Sequence, residues 1–355
     1  MSTNQTYHYP EHHAMSIPSG VNTLHERIRA LLPPSYELCL DAVSPRSMGS
    51  ASLKYDSESR VAWDKIWTHY CDLALAGGPP HRGSLLESVT SEEANAEPAG
   101  YDLVVQEISR GIHLTTGLQP QRSHDFGWVH VPCDSHGMAA WLLRAIMAEN
   151  VFVRMEGSAL LLPAGPTFRI PKEVKNVVVS LAKTFHYWSE HLPDDRKQSA
   201  TELLTGGSLP PLIEPPTKSQ VLSQSSEYEA LRHEIEKAIS QRLSLPTVHS
   251  QAAGWVGIRM QSERMAAWFV RSAIASNILA RREENDFYLP LSPLPLSLLP
   301  SDHAHEGVDR IIAIKRIWDA EEASSRNGDA PRVAFGDRVA FGDTPCKRRS
   351  PNEPE

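Results

Sequence analysis

The chain is poor in the features that would mark a disulfide framework, a membrane span or a nucleic-acid binder. Its 355 residues hold four cysteines, Cys39, Cys71, Cys133 and Cys346, far apart and without a CxxC pair. Free thiols in a reducing compartment fit that spacing better than crosslinks do. No run reaches the roughly 18 apolar residues that a membrane-spanning helix needs. The opening stretch, Met1 to Pro10, lacks a basic region followed by an apolar core, so a cytoplasmic location is expected. Thirty-five Lys and Arg against 43 Asp and Glu give a formal charge of −8, and the basic residues are scattered, which argues against nucleic acid as a partner. GxGxxG after a strand, GxxxxGK before Ser or Thr, HExxH and GxSxG are all missing. Nicotinamide, P-loop nucleotide, zincin and hydrolase-elbow chemistries therefore have no support.

What the chain does have is itself, twice. Residues 101–166 laid on 228–293 without a gap, at an offset of 127, agree at 22 of 66 positions, where unrelated segments would agree at roughly 6%. Gly127-Trp128-Val129 recurs as Gly254-Trp255-Val256, and Met138-Ala139-Ala140-Trp141 as Met265-Ala266-Ala267-Trp268. Arg144, Asn150, Arg154, Glu156 and Pro163 recur as Arg271, Asn277, Arg281, Glu283 and Pro290. Such self-similarity marks a duplicated fold unit. A weaker echo pairs Lys65–Tyr70 with Lys183–Tyr187, followed by Gly77-Gly78 and Pro79-Pro80 in one case and by Gly206-Gly207 and Pro210-Pro211 in the other.

Periodicity supplies the elements. Val174, Val177, Val178, Leu181, Phe185 and Trp188 recur at three- and four-residue steps and predict a helix over 172–191. Trp63, Ile66, Trp67, Tyr70 and Ala74 predict another over 60–75, and Met138, Trp141, Leu142, Ala145 and Ala148 a third. Val151–Arg154 and Leu160–Leu162 flank Glu156-Gly157-Ser158 as a tight hairpin. Each unit reads as helix, strand, helix, β-hairpin, helix. The expected architecture is α+β: two tandem copies with pseudo-twofold symmetry and mixed sheets, in which the strands before and after the third helix lie parallel. Residues 1–20 and 325–355 read as tails, 21–100 as a helical segment and Gly/Pro loop completing repeat 1, 101–216 as repeat 1 and 217–324 as repeat 2.

A residue present in both copies is explained by packing, so polar groups found in only one become the functional candidates. On that logic Arg154 and Glu156 are a surface ion pair of the scaffold. His130, Cys133 and His136, replaced by Gly257, Met260 and Glu263 in the second copy, could ligate zinc or iron, or Cys133 could be a nucleophile near a helix N-terminus. A rigid Gly/Pro loop carries His81 and Arg82, suited to gripping a carboxylate or phosphate. Lys172, Lys183 and His186 share one face of the 172–191 helix, and Lys65 and His69 one face of 60–75. If those helices line the groove between units, Arg82, Lys65, Lys183 and Lys172 would hold an anion, and His81, His186 or His69 would move protons. His186 and His191 do not share a face at ordinary helical spacing.

The sequence thus points to a protein that binds a small acidic metabolite or cofactor between two repeats, with or without converting it. A competing reading is a non-catalytic accessory or scaffold protein whose tryptophans (Trp63, Trp67, Trp128, Trp141, Trp188) dock a partner chain or a second copy. A third is a metal-dependent enzyme centred on Cys133.

Overall fold

A computed structural model describes residues 24–33, 53–65, 80, 82–291 and 305–326. The expected tails, but for Ser325 and Arg326 at the end of the last helix, the 60–75 helix beyond Lys65, His69, His81 and Trp67 lie outside them. Among the described residues no helix is long and apolar enough to cross a membrane.

After α1 (Leu24–Leu31) and a 3-10 turn (Trp63–Lys65) come α2 (Ser91–Ala96), α3 (Pro98–Thr116), β1 (Gln121–Arg122), β2 (Trp128–Pro132), α4 (His136–Ala148), β3 (Arg154–Glu156) and β4 (Ala159–Pro163). The expected 172–191 helix is α5 (Lys175–His186), bracketed by π-helical turns at Ile170–Val174 and Tyr187–His191, and α6 (Asp194–Thr205) follows it. The chain continues through α7 (Lys218–Ser223), α8 (Ser225–Leu243), β5 (Thr247–Val248), β6 (Trp255–Arg259), α9 (Glu263–Ala275), β7 (Arg281–Glu283) and β8 (Asp286–Pro290), ending in α10 (Glu306–Arg326). The fold is α+β, helices packed on two small four-stranded sheets.

Local chemistry explains the helix starts. Thr90 and Glu93 form a reciprocal capping box at α2, and Thr217 and Gln220 form one at α7. Ser135 caps α4 by accepting from the Met138 N–H, as Ser262 caps α9 by accepting from Met265. Helix α4 is more than amphipathic: every residue from Gly137 to Ala148 is buried, because α5, α6 and strands β3, β4 and β7 enclose it. The buried apolar side chains form one continuous cluster from Leu24 on α1 to Trp318 on α10.

The sheets correct the expected mixed pairing. Their orders are β1-β2-β4-β3 and β5-β6-β8-β7, and every pairing between these strands is antiparallel. Strands β2 and β3 do run the same way, but β4 lies between them. Burial explains the order: Ala159–Pro163 is wholly buried and takes the centre, while the short β3, with no fully buried residue, goes to the edge. Among the described residues parallel contact takes the form of two single bridges, Leu86 to Val151 and Ile213 to Ile278. The registers run Trp128 opposite Pro163 through Pro132 opposite Ala159, and Trp255 opposite Pro290 through Arg259 opposite Asp286, each pair 127 residues after its counterpart.

Two glycines enter these sheets at left-handed backbone angles. Gly127 has φ +89°, and a Cβ there would lie 2.3 Å from the Val89 carbonyl oxygen; Gly254 has φ +79° and would meet Pro216 at 2.4 Å. Strain and clash coincide, so Gly127→Ala is expected to destabilise the fold by more than about 2 kcal/mol in urea titration. A loss below about 0.5 kcal/mol would show that the close approach is not a constraint.

Candidate functional site

The two central helices, α4 and α9, each end on an asparagine in the left-handed region, Asn150 at φ 59° and Asn277 at φ 62°. Asparagine tolerates this conformation better than other side-bearing residues. Each side-chain amide donates to a carbonyl of an incoming segment: Asn150 Nδ2 to Arg82 at 2.8 Å, Asn277 Nδ2 to Pro210 at 2.8 Å. Asn150 Nδ2 also donates to the Arg282 carbonyl at 2.8 Å, and its Oδ1 faces Arg281 Nη1 at 3.5 Å. Asn277 Oδ1 accepts from Arg144 Nη2. Residues 144–150 and 277–282 are thereby stitched into one polar seam inside the apolar core.

Its charges are arginines. Arg144 is 5% exposed and Arg281 1%. Burial alone pulls Arg144 down to about 10, and among the described residues no carboxylate pairs with it. Its Nη1 donates to the Ala140 carbonyl one turn back, and its Nε has no partner there. Arg271, the matching position on α9, is likewise pulled to about 10 by burial and donates to the Pro33 carbonyl at 2.9 Å. Arg281 lies against two rings, its guanidinium carbon 4.0 Å from the Tyr288 centroid and 4.9 Å from that of Trp255, and Nη1 meets Glu283 Oε1 at 2.5 Å.

Glu87, one residue beyond the Leu86 bridge, senses Arg281 and Lys218; burial outweighs both cations and raises its carboxyl to about 7. Glu214, 127 residues later, is raised by burial and opposed by Arg154. Arg154 thus acts electrostatically on Glu214, as Arg281 does on Glu87. The proton linkage of Glu87 is unfavourable to folding at high pH. Its folded-state value lies above its ordinary 4.5, so the folded form binds the extra proton and stability falls as pH rises from about 4.5 to 7.

Family models, curated proteins and solved structures offer no match to this chain. The seam is therefore read from its own geometry.

The structure distributes the sequence-predicted residues unevenly. Arg82 is at the seam through its carbonyl, while its Nε donates to the Ser84 carbonyl at 3.0 Å and burial lowers its pKa. Lys183 is no groove lysine: it is 4% exposed and its Nζ sits 2.5 Å from Glu149 Oε1, itself buried. Lys65 and Lys172 are exposed, on the 3-10 turn and on the first π-turn. His186 is half-buried with its ring 5.0 Å from that of His191, because the π-turn stacks residues five apart. That corrects the expectation of separate faces; burial first, then His191, lowers the His186 pKa.

His130, Cys133 and His136 do not form a metal centre. Among the described residues no three His, Cys, Asp or Glu side chains gather as one would require. Cys133 Sγ points back to the Val131 carbonyl at 3.7 Å, and His136 Nδ1 lies 3.0 Å from the Gly157 carbonyl. Nor is Cys133 activated: burial, then Asp134, pushes its thiol up to about 12. Of the tryptophans offered as a docking surface, Trp63, Trp128, Trp141 and Trp188 are buried.

Sequence reasoning set aside Arg144, Asn150 and Arg154 as scaffold because both copies keep them. The readable signal was an arginine in the middle of an otherwise apolar helix, in Trp141-Leu142-Leu143-Arg144-Ala145-Ile146-Met147 and again at Arg271.

Two expectations test this description. Lys183→Met should destabilise the protein by about 3 kcal/mol by stranding Glu149, and Lys183→Met with Glu149→Leu should recover most of that; equal losses in both would disprove the pair. Cys133 should alkylate at pH 8 at least about a hundredfold more slowly in the folded protein than in urea, read by peptide mass spectrometry. Comparable rates would contradict its burial.

Proposed function

We propose that the chain consists of two copies of one unit related by a pseudo-twofold axis, and that a small acidic molecule binds in the seam between them. In this reading Arg144 is the principal clamp, with Arg281 and the Arg82 loop at its margins. Reciprocity supports the symmetry. Arg281 of the second unit acts electrostatically on Glu87 of the first, and Arg154 of the first on Glu214 of the second, which is the exchanged pattern of an isologous contact. The bounds of α2, α3, β2, α4, β3 and β4 all return 127 residues later in α7, α8, β6, α9, β7 and β8.

Arg144 carries the binding proposal. A guanidinium this deeply buried without an acidic neighbour among the described residues is expensive, by several kcal/mol. An anion about 4 Å away would return about 4 kcal/mol at an effective dielectric near 20. A planar fork with Nε open suits bidentate contact to a carboxylate or phosphate. No catalytic step is assigned, and a cytoplasmic setting is part of the proposal.

The test is thermal unfolding with citrate, inorganic phosphate or sulfate at millimolar concentration and constant ionic strength, with chloride as reference. At least one of the three anions should raise Tm by several degrees in the native chain, and Arg144→Gln should abolish that response whatever its own baseline. Equal responses in both proteins would overturn the assignment.

A further inference from the structure

We infer that His186 and His191 together hold a divalent transition-metal ion, copper(II) in preference to the others, in an open site at the end of α5. The inference does not depend on the anion reading above. It starts from a change of helix type. On an α-helix, residues five apart point about 140° away from each other. Tyr187–His191 is instead a π-helical turn, in which the Leu192 N–H donates to the Tyr187 carbonyl at 3.0 Å. Its wider winding brings His191 round to His186, and the two imidazole rings stand 5.0 Å apart, centre to centre, with their planes at 76°.

That separation is the one a shared metal ion imposes. A metal about 2.0 Å from one nitrogen of each ring lies about 3.2 Å from each ring centre, which sets the centres about 4.5 Å apart in a square-planar cis pair and about 5.2 Å apart in a tetrahedral one. The outer ring is also held in place. His191 stacks on Tyr187, centres 5.8 Å apart at 27°, and Tyr187 stacks on the buried Trp141, 5.9 Å apart at 4°. Stacking uses a face of the His191 ring, whereas coordination uses its edge, so the two are compatible. His191 is exposed and His186 half-buried, so an ion can reach the pair from solvent, and the exposed Glu190 of the same turn adds negative charge. Burial first, and then His191, lowers the His186 pKa, which favours the neutral ring that a metal needs.

Two imidazoles do not make a closed structural centre, and among the described residues no third His, Cys, Asp or Glu completes one. Water fills the remaining positions, so the ion exchanges readily. Magnesium and calcium prefer oxygen ligands, whereas imidazole suits copper, nickel and zinc, and where geometry selects little copper(II) binds tightest. Two metal-bound waters leave as two ring nitrogens bind, any proton on those nitrogens goes to solvent, and no electron is transferred.

Copper(II) added to the full chain at neutral pH, in a buffer that does not coordinate metals, tests this. Calorimetry should find a tightest class of one copper per chain, and electron paramagnetic resonance of the one-equivalent complex should show hyperfine splitting from two imidazole nitrogens. His186→Ala and His191→Ala should each weaken that class at least about tenfold, and the double variant should be little worse than either, because one imidazole alone is not the site. Magnesium at about hundredfold excess should not compete. Copper binding of native affinity in His186→Ala or in His191→Ala, a one-equivalent signal with a single nitrogen, or a native chain that takes up no copper would each overturn the inference. Should His186→Ala not fold, His191→Ala, which alters an exposed side chain, decides together with the nitrogen count.

Discussion

Two asparagines at the ends of two buried helices hold this molecule in shape. Asn150 and Asn277 turn the chain at positive φ, and each amide ties a crossing segment to the turn. The residue that follows each one makes a parallel bridge, to Leu86 or Ile213. A residue with a branched or apolar side chain could adopt neither the backbone angle at low cost nor the hydrogen bonds. Where the segments around Leu86 and Ile213 cross follows from where these turns deliver the chain.

Much of the fold was legible beforehand because it is local. The 3.6-residue periodicity of 172–191 and the hairpin around Gly157 need only near neighbours. The capping boxes Thr90–Glu93 and Thr217–Gln220 could also have been read, and would have marked the two short helices that were missed. What was not legible is set by distant partners. Strands β1 and β5 have two residues each, too few to show alternation. The central place of β4 depends on which strand the core covers. The π-turn at Tyr187–His191 has no signature in residue type, so the His186–His191 stack could not be foreseen.

The candidate site shows a more instructive failure. Absence from one copy was taken as the mark of function, which favoured Arg82, His136 and Cys133, while a shared polar helix face favoured Lys183. Yet Lys183 is locked to Glu149, and the thiol of Cys133 is pushed out of reactivity. The polar residues that both copies keep, Arg144 and Asn150 with Arg271 and Asn277, are the ones gathered in the interior. Under the proposed arrangement of two facing units, recurring polar groups would meet each other at the shared surface, so recurrence and function need not exclude one another.

Burying arginine is tolerable only with compensation, and the compensation differs along the seam. Arg281 has Glu283, two aromatic rings and the influence of Glu87. Arg144 has a helix carbonyl and an amide oxygen, both neutral. That contrast is the reason for expecting a negative ligand at Arg144. The most direct measurement is anomalous diffraction from crystals grown in selenate, an anion whose position can be seen. The account predicts a selenium peak within contact of the Arg144 guanidinium, between the 144–150 and 277–282 segments. Selenium found only on the outer surface, with Arg144 sealed off by protein atoms, would contradict it.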